Sequence, residues 1–468
     1  MSELITLENA LRTRNPPRDT VAGDPERPPA LSDDALALLF AARYVDDLRH
    51  VNAWGKWFNW CGTHWCADET LLTFDRARLV CREAAAKCDN IKAAPAIASA
   101  KTVAAVERLA RADRRIAATI DQWDADPWLL NTPNGVVDLK SGDLHPHRPG
   151  DYLTKVTAVA PQGDCPRFLA FLNRITGKDS ALIAYLRRVL GYSLTGLTHE
   201  HALFFAYGTG ANGKSVLLAT VAGILGDYHK TAPIETFTAT NADRHPTDLA
   251  SLRGARLVTA SETEEGRRWA EARIKQLTGG DVVSARFMRQ DFFEYRPQFK
   301  LIIAGNHKPT LRSVDEAIRR RFHLIPFAVT IPAEERDGEL AEKLKAEWPG
   351  ILAWLIEGCL EWQTEGLRAP KVVLDATEAY LSAEDSLAVW MDERCDCDLQ
   401  AWSSLSALFG SWSDWAVRAG EGVGSQKRFS QTLEARGFQL HKRNVGQGVF
   451  GLRIRPLESD YEPWGGQK

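Results

Sequence analysis

A glycine-rich segment at residues 208–215 constrains the fold of this 468-residue chain more than any other feature. It reads Gly-Thr-Gly-Ala-Asn-Gly-Lys-Ser and fits the pattern G-x-x-x-x-G-K-[S/T], in which backbone N–H groups wrap around phosphate oxygens. An apolar run at residues 203–207 precedes it, and a helix-like stretch at 216–225 follows and stops at Gly226. This order predicts a phosphate-binding loop at the edge of a parallel sheet, rather than a glycine turn with an accidental Lys-Ser pair.

The residues of this loop have separate expected roles. Glycines let the backbone turn tightly, and the N-terminus of the following helix adds partial positive charge at the same place. Lys214 is expected to reach the β- and γ-phosphates of ATP, and the hydroxyl of Ser215 is expected to bind Mg²⁺. The expected nucleotide-binding residues are Gly208, Thr209, Gly210, Ala211, Asn212, Gly213, Lys214 and Ser215.

Acidic residues follow the next strand-like run, at residues 257–261. Glu262 comes directly after this run, and Glu264 lies two positions further on. At the end of a strand beside a phosphate loop, a carboxylate can bind Mg²⁺ or polarise the attacking water. Glu262 is the first candidate for these roles and Glu264 the second, and a solvated acidic loop is the alternative.

Two further groups complete the predicted catalytic set. Asn306 ends the strand-like run at residues 300–305, where its amide could orient the attacking water, although an asparagine in an ordinary turn is also common there. Three consecutive arginines follow at residues 319–321. Arg320 or Arg321 is a candidate to stabilise the γ-phosphate bound by a neighbouring subunit, which would require a ring, and a solvated basic face is the alternative.

Composition limits the classes to which the chain can belong. Hydrophobic residues make up 44% and charged residues 25%, and the net charge of −3 leaves any nucleic-acid binding to local basic patches. The N-terminus lacks a signal-like apolar region and the sequence has no apolar run of membrane-spanning length, which predicts a cytoplasmic, reducing compartment and no membrane partner.

Eight irregularly spaced cysteines do not indicate a disulfide framework. Cys61, His64 and Cys66 could hold a metal, but thiols and an imidazole on a hairpin fit the lack of a second ligand pair better.

A basic unit occupies residues 402–456. It combines helical stripes with a hairpin that turns at glycines, a pattern typical of a winged helix. Residues 427–455 hold seven Lys or Arg residues and one acid, Glu434, an excess that favours phosphate contacts over the alternative of protein docking. The residues expected to bind DNA here are Lys427, Arg428, Lys442 and Arg443.

Several sequence blocks around the loop resemble the superfamily 3 helicases. The resemblance is closest to the helicase portion of the phage/plasmid primase–helicase family, which includes poxvirus-type members. It is carried by residues 128–144, 190–196, 245–257, 275–281 and 348–358. It covers most of the chain from about residue 50, and the block at 275–281 looks like the motif called B-prime that marks this superfamily.

This resemblance implies an ATP-driven hexameric ring that moves along single-stranded DNA. Residues 281–297 would form a hairpin lining the pore, with Arg286 and Arg289 near its tip facing phosphates. Phe287 and Met288 would lie beside them, close to sugars or bases. Lys275, within the B-prime block, is a further expected DNA contact.

The sequence departs from the family pattern in the spacing of its acidic residues, and it shows no motif for the primase activity of the family. Thr263 separates Glu262 from Glu264, which leaves open which acid binds metal and which activates water. Residues 1–130 show no paired-aspartate strand motif of a primase, so primer synthesis is expected from a separate primase or polymerase. The implied function is an ATP-dependent DNA helicase for phage, prophage or plasmid replication in the bacterial cytoplasm. The alternative is a P-loop ATPase that remodels or loads replication complexes without unwinding.

The predicted fold class is α/β, with a P-loop, AAA+-like parallel-sheet ATPase core between a mixed α+β N-terminal domain and a C-terminal winged-helix-like domain. The expected units are a disordered arm at residues 1–34, an N-terminal α+β domain at 35–195, the ATPase core at 196–335, a helical extension at 336–400, a winged-helix-like domain at 401–456 and a tail at 457–468.

Overall fold

The computed structural model describes residues 28–239, 247–261, 267–288, 291–311, 314–398, 401–443 and 446–455. Most of the predicted arm and all of the predicted tail lie outside these residues. The first described helix, α1 (Asp33–Arg43), begins where the sequence suggests, because Ser32 caps it by accepting a hydrogen bond from the N–H of Ala35 at 3.2 Å. Within the described ranges, no helix has both the length and the apolar character needed to cross a lipid bilayer.

The N-terminal unit packs helices against a small antiparallel sheet. Apolar residues recur at helical spacing, so that Leu36, Phe40, Val80 and Val106 are buried in one core. After α1, its elements are β1 (Leu48–Val51), β2 (Lys56–Trp60), β3 (Trp65–Ala67), α2 (Leu72–Ala86), α3 (Ala94–Ile97) and α4 (Ala100–Ala110).

An aromatic layer lies beside this core and consists of Trp54, Phe58, Trp65 and Trp123. The ring centroid of Trp123 lies 4.5 Å from that of Phe58, 6.0 Å from that of Trp54 and 5.9 Å from that of Trp65. Trp54, Trp60 and Trp65 therefore belong to a second small core, whereas Trp57, in the same tryptophan-rich segment, belongs to the first.

A disulfide joins Cys61 to Cys66 across the turn between β2 and β3. We expected free thiols here, and this expectation is corrected. Trp60 pairs with Trp65 in the antiparallel register, so the cysteines beside them come together with their Cα atoms 6.3 Å apart. Because the disulfide occupies both sulfurs, the alternative of a metal bound with His64 finds no support among the described residues.

A second antiparallel sheet leads from the N-terminal unit toward the rest of the chain. The tight turn predicted at residues 134–135 is confirmed, since Leu129 pairs with Asp138 and Thr132 with Gly135 on either side of it. The elements are β4 (Leu129–Thr132), β5 (Gly135–Asp138), β6 (Leu144–His145), α5 (Pro166–Ile175) and α6 (Ser180–Tyr192).

A five-stranded parallel sheet forms the centre of the molecule. The elements of this region are β7 (Leu203–Tyr207), α7 (Lys214–Leu225), β8 (His229–Thr231), α8 (Thr247–Ala250), β9 (Leu257–Ser261), α9 (Glu271–Thr278), β10 (Val283–Ala285), β11 (Phe293–Tyr295), β12 (Lys300–Gly305), α10 (Glu316–Arg319) and β13 (Phe322–Pro326). The sheet order is β13–β7–β12–β9–β8, and every neighbouring pair is parallel. Phe204 and Ile302 belong to the core on one face, and Leu203 and Phe205 to the core on the other, as the two-residue period of strands requires.

Two glycines let helix α6 cross helix α12 (Trp348–Glu365) with their backbones in contact. A Cβ added at Gly191 would lie 2.2 Å from the backbone nitrogen of Cys359, and one added at Gly358 would lie 2.2 Å from the carbonyl oxygen of Arg187. The helices after the sheet are α11 (Leu340–Lys345), α12 (Trp348–Glu365) and α13 (Lys371–Ala383).

Replacing Gly191 with alanine should lower the free energy of unfolding by about 3 kcal/mol, because the new methyl group meets backbone atoms that cannot rotate away. Gly410→Ala is the matched control, since an added Cβ there meets nothing within 4 Å. This control lies in the helix Leu405–Arg418, where alanine is favoured, so its effect should be neutral or slightly stabilising. Equilibrium denaturation followed by circular dichroism measures both; a Gly191→Ala chain as stable as the unchanged protein would contradict the close crossing.

The C-terminal unit has its own core, which includes Trp390, Leu408, Trp412 and Leu433. Trp390 lies before residue 401, the boundary that the sequence predicts for this unit. The helix that carries it, α14 (Ser386–Arg394), packs on α15 (Leu405–Arg418) as well as on the preceding helix α13. Its elements are α14 (Ser386–Arg394), β14 (Cys395–Asp396), β15 (Trp402–Ser404), α15 (Leu405–Arg418), α16 (Gln426–Ala435), β16 (Leu440–Arg443), β17 (Gly446–Phe450) and β18 (Arg453–Ile454). Strands β15, β17 and β16 form one antiparallel sheet, and the winged-helix assignment remains a proposal that this order supports.

Candidate nucleotide-binding site and hairpin

The glycine loop connects the end of β7 to the start of α7 and leaves no room for side chains at two positions. A Cβ on Gly208 would lie 2.2 Å from Asn212 Nδ2 and 2.4 Å from the carbonyl oxygen of Phe327. Gly213 has a φ of 80°, and a Cβ there would lie 2.5 Å from the side chain of Ile175. Glycine is therefore required at both ends of the loop, as tight wrapping predicts.

Lys214 lies across the loop and reaches the carboxyl ends of two neighbouring parallel strands, β7 and β12. Its Nζ donates hydrogen bonds to the carbonyl oxygen of Gly208 at 2.7 Å, to Asn212 Oδ1 at 3.1 Å and to Asn306 Oδ1 at 3.3 Å. The structure therefore brings Lys214 and Asn306 together, although their positions lie 92 apart in the sequence.

The electrostatics of the loop fit a bound phosphate chain. Lys214 is only 5% exposed, and burial lowers the pKa of its ammonium because its partners are neutral oxygens. Within the described part of the chain, the backbone N–H groups of residues 209–215 donate to no acceptor. Ser215 is exposed at the start of α7, where its hydroxyl can reach a metal ion. Unpaired N–H donors around a buried cation are the groups that phosphate oxygens require.

The two candidate acids, Glu262 and Glu264, lie outside the described residues. The last described residue before them, Ser261, ends β9 and pairs with Ala304 of β12. Strand β12 thus lies between β7, which leads into the glycine loop, and β9, which leads toward the acids.

The three consecutive arginines have different environments. Arg319 forms an ion pair with Glu378 at 2.9 Å. Arg321 is only 6% exposed, and its guanidinium donates to the carbonyl oxygen of Ala317 at 2.7 Å. Arg320 is exposed, and its side chain has no hydrogen bond or ion pair to any described residue. Of the three, Arg320 is therefore the side chain available to another subunit.

Arg320 lies at the amino-terminal ends of the parallel strands, whereas the glycine loop lies at their carboxyl-terminal ends. It precedes Phe322, which begins β13 and pairs with Leu203, the first residue of β7. The loop follows the last residue of β7, so a whole strand of roughly 16 Å separates the two. Arg320 is consequently about a strand length away from the phosphates that its own loop would bind.

Lys275, an expected DNA contact, is engaged within the chain. Its Nζ donates to Asp315 Oδ2 at 2.5 Å, and Asp315 Oδ1 accepts a hydrogen bond from the N–H of Ile318 at the start of α10. Burial opposes ionisation of Asp315, but the hydrogen bonds from Lys275 and Ile318 outweigh it and lower the pKa of the carboxyl. In this arrangement Lys275 joins α9 to α10, and a DNA phosphate would have to compete with Asp315.

The hairpin expected at residues 281–297 is present as the antiparallel pair β10–β11. Arg286 follows β10, and its guanidinium carbon lies 4.6 Å from the ring centroid of Phe292. Phe287, Met288 and Phe292 are 40%, 68% and 59% exposed, respectively. Arg289 lies outside the described residues. The tip thus combines a cation with exposed apolar surface, which suits single-stranded nucleic acid.

The basic residues of the C-terminal unit differ in exposure. Lys427 is exposed at the start of α16, whereas the adjacent Arg428 is half-buried. Lys442 and Arg443 are exposed on β16, and the guanidinium carbon of Arg443 lies 4.6 Å from the ring centroid of Phe450. This stacking holds one cation on the face of the hairpin.

Two structural roles were missed by sequence reasoning. Asn212 was predicted only as a loop residue, but its Nδ2 also donates to the carbonyl oxygen of Phe327 at 3.2 Å and so braces the loop against the chain after β13. Asp315 was not singled out, although it binds Lys275. A helix-capping aspartate is visible in the sequence, but nothing there indicates its partner 40 positions away.

Two family models match the chain. A model described as "D5 N terminal like" matches residues 37–177, which cover the N-terminal helices, both small sheets and α5. A model of a family of unknown function (DUF5906) matches residues 206–321, which run from the end of β7 to Arg321 and include the glycine loop and the hairpin.

Viral relatives match a little over half of the chain. "Putative helicase L207/L206" of Acanthamoeba polyphaga mimivirus is 27% identical over 283 residues, 55% of this chain and 29% of that protein. "Putative helicase 022R" of Frog virus 3 (isolate Goorha) is 25% identical over 277 residues, 54% of this chain and 28% of that protein. The chain therefore spans under a third of the length of these relatives. The solved apo structure of the NrS-1 C-terminal region is 10% identical with a TM-score of 0.47, and the match covers 88% of this chain and 98% of that one.

Proposed function

We propose, from the premise that this chain belongs to a primase–helicase family of the D5 type, that it is an ATP-dependent DNA helicase acting in phage, prophage or plasmid replication. The observation that carries this proposal is the contact of the buried Lys214 ammonium with the glycine loop and with Asn306, at the carboxyl ends of neighbouring parallel strands. A lysine, unpaired N–H groups and an amide at one sheet edge favour binding and cleavage of a nucleoside triphosphate.

Each residue of the site has one role in this proposal. Lys214 exchanges its neutral oxygen partners for the β- and γ-phosphates, whose negative charge stabilises the ammonium. Asn306 orients the attacking water, and Glu262 or Glu264 polarises it. Ser215 and Glu262 would hold Mg²⁺, which would neutralise part of the phosphate charge.

The position of Arg320 supports an assembly of several copies of this chain. An exposed arginine at the amino-terminal ends of the strands cannot contact a nucleotide bound by the loop at the carboxyl-terminal ends of the strands in the same subunit. In a closed ring, however, the amino-terminal ends of the strands in one subunit can face the nucleotide bound by the next subunit. We therefore assign Arg320 to the γ-phosphate of a neighbour, and Arg321 to holding α10 within its own subunit.

The hairpin β10–β11 is the part of the sheet region that we assign to single-stranded DNA. Arg286 supplies positive charge near the tip, and Phe287 and Met288 supply exposed surface against which sugars or bases can pack. The basic face around Lys427 and Lys442 provides a second, independent DNA contact in the C-terminal unit. Primer synthesis is assigned to a separate primase or polymerase.

A forked DNA duplex with one fluorescent strand tests the proposed function. We expect release of that strand with ATP and Mg²⁺, and no release with a non-hydrolysable ATP analogue, because strand separation is coupled to hydrolysis. ATP turnover stimulated by single-stranded DNA without strand release would overturn the helicase assignment in favour of an ATPase that remodels or loads replication complexes. Absence of ATP turnover under all conditions would overturn both.

A further inference from the structure

Arg253 lies between aromatic rings that belong to two different parts of the fold. Its guanidinium carbon is 4.8 Å from the ring centroid of Trp54, in the aromatic layer of the N-terminal unit. The same atom is 5.3 Å from the ring centroid of Phe293, in strand β11 of the hairpin. Both distances are within the range of cation–π attraction, so one side chain holds the two parts together.

The aromatic contacts are the principal interactions of this guanidinium. It makes no hydrogen bond or ion pair with any side chain or carbonyl in the described part of the chain. Burial lowers the pKa of Arg253, while the charges of Asp124, Tyr295 and Asp121 oppose that shift. An arginine remains charged under such burial, and its planar group suits stacking better than an ammonium does.

On one side, the contact continues to the exposed tip of the hairpin. Phe293 stacks on Phe287, with ring centroids 5.8 Å apart and an interplanar angle of 28°. The hydroxyl of Tyr295 donates to the carbonyl oxygen of Leu249 at 2.6 Å, which ties β11 to the segment that leads into Arg253. The hairpin is thus attached to residues 249–253 at more than one point.

On the other side, the contact continues into the N-terminal unit. Trp54 packs on Trp123 in the aromatic layer, with ring centroids 6.0 Å apart. Gly254, next to Arg253, has a φ of 72°, and a Cβ there would lie 2.9 Å from Lys155 Cε. The end of the Lys155 side chain therefore lies close to the backbone directly after Arg253.

We infer that Arg253 is a positioning residue through which the N-terminal unit sets the position of the β10–β11 hairpin. The inference rests on the proposed function only where it assigns that hairpin to DNA. It predicts that loss of the stacked cation frees the hairpin while leaving the central sheet intact.

Hydrogen exchange of the 468-residue chain, read on peptides covering residues 283–288 and 291–296, tests the inference without DNA or ATP. Arg253→Met should accelerate exchange in the hairpin by about fivefold, the factor expected for loss of one partly buried cation–π contact. Trp54→Leu removes the contact with Trp54 but leaves that with Phe293, so its effect should be no larger than that of Arg253→Met. The double variant should be no faster than Arg253→Met, because loss of the arginine already removes both contacts. Arg253→Lys, which keeps the charge but stacks less well, should fall between.

Arg49→Met is the matched control. Its guanidinium carbon lies 5.0 Å from the ring centroid of Trp65 and 5.8 Å from that of Tyr152, in the same aromatic region but away from the hairpin. The control should leave hairpin exchange unchanged. Equal acceleration by Arg49→Met, or unchanged exchange in Arg253→Met, would overturn the inference.

ATP turnover separates this inference from the proposed function. In Arg253→Met, stimulation of ATP hydrolysis by single-stranded DNA should fall about fivefold relative to turnover without DNA, because the hairpin no longer holds its position. If the unchanged protein shows no stimulation by DNA, the proposed function fails, and hydrogen exchange alone still decides the role of Arg253. If stimulation is intact in Arg253→Met, the functional part of the inference is wrong.

Discussion

Replacing Arg320 with alanine should reduce ATP turnover by about a thousandfold while leaving ATP affinity nearly unchanged, because an arginine supplied by a neighbour stabilises charge that develops only in the transition state. Arg320 is the exposed member of the three consecutive arginines, and its side chain has no partner among the described residues. It also lies at the amino-terminal ends of the parallel strands, a strand length away from the glycine loop of its own subunit. Turnover assays and equilibrium binding of a fluorescent ATP analogue measure the two effects.

Arg319→Ala is the control for this experiment. Arg319 is adjacent in sequence but pairs with Glu378, and loss of such a surface ion pair costs at most about 1 kcal/mol of stability and should leave turnover intact. Mixing Arg320→Ala subunits with Lys214→Ala subunits gives a second check. Some interfaces would then pair an intact Lys214 with an intact Arg320, so partial turnover should return. Full activity of Arg320→Ala alone would contradict an arginine shared between subunits.

The sequence predicts the centre of the fold because its signals are local. The strand, glycine loop and helix around Lys214 lie in one continuous stretch, and each element forms where its pattern indicates. Asn306 is distant in sequence, but it also follows a buried strand. Parallel strands place their carboxyl ends at one edge, so its approach to Lys214 could be expected before the structure was known.

The choice between Arg320 and Arg321 could not be made from the sequence. The two residues are identical and adjacent, and their difference arises because α9 and the end of α10 enclose one guanidinium and leave the other exposed. Lys275 shows the same limit. A basic residue near a DNA-binding motif predicts a phosphate contact, whereas its ion pair with Asp315 depends on how two helices meet.

Boundaries and covalent pairs also depend on tertiary packing. Helix α14 reads as a continuation of the preceding helices, but Trp390 is buried with Trp412 in the C-terminal unit, with ring centroids 6.0 Å apart. Cys61 and Cys66 gave no recognisable disulfide spacing, and only the register of β2 on β3 brings them together. The packing of Trp390 and the disulfide depend on residues that become neighbours only in the folded chain, so a local sequence pattern cannot predict them.

Lys214→Ala should have the largest effect of any single replacement in the site. The buried ammonium is the positive charge aimed at the loop, and its loss removes both attraction for the β- and γ-phosphates and stabilisation of the transition state. We expect ATP turnover to fall at least about a thousandfold. The fold should persist, because Gly208 and Gly213 rather than the lysine side chain fix the shape of the loop.

Lys230→Ala is the matched control, since Lys230 is a lysine of the same sheet but is exposed on β8. It should retain the turnover of the unchanged protein. Circular dichroism and thermal unfolding of both variants separate loss of chemistry from loss of structure.

ATP turnover by folded Lys214→Ala in the presence of single-stranded DNA, compared with that of Lys230→Ala, decides whether the glycine loop is the site of ATP hydrolysis. We expect turnover at background for Lys214→Ala and unchanged turnover for Lys230→Ala. Hydrolysis at the normal rate by a folded Lys214→Ala chain would show that the glycine loop is not where the triphosphate is bound and cleaved.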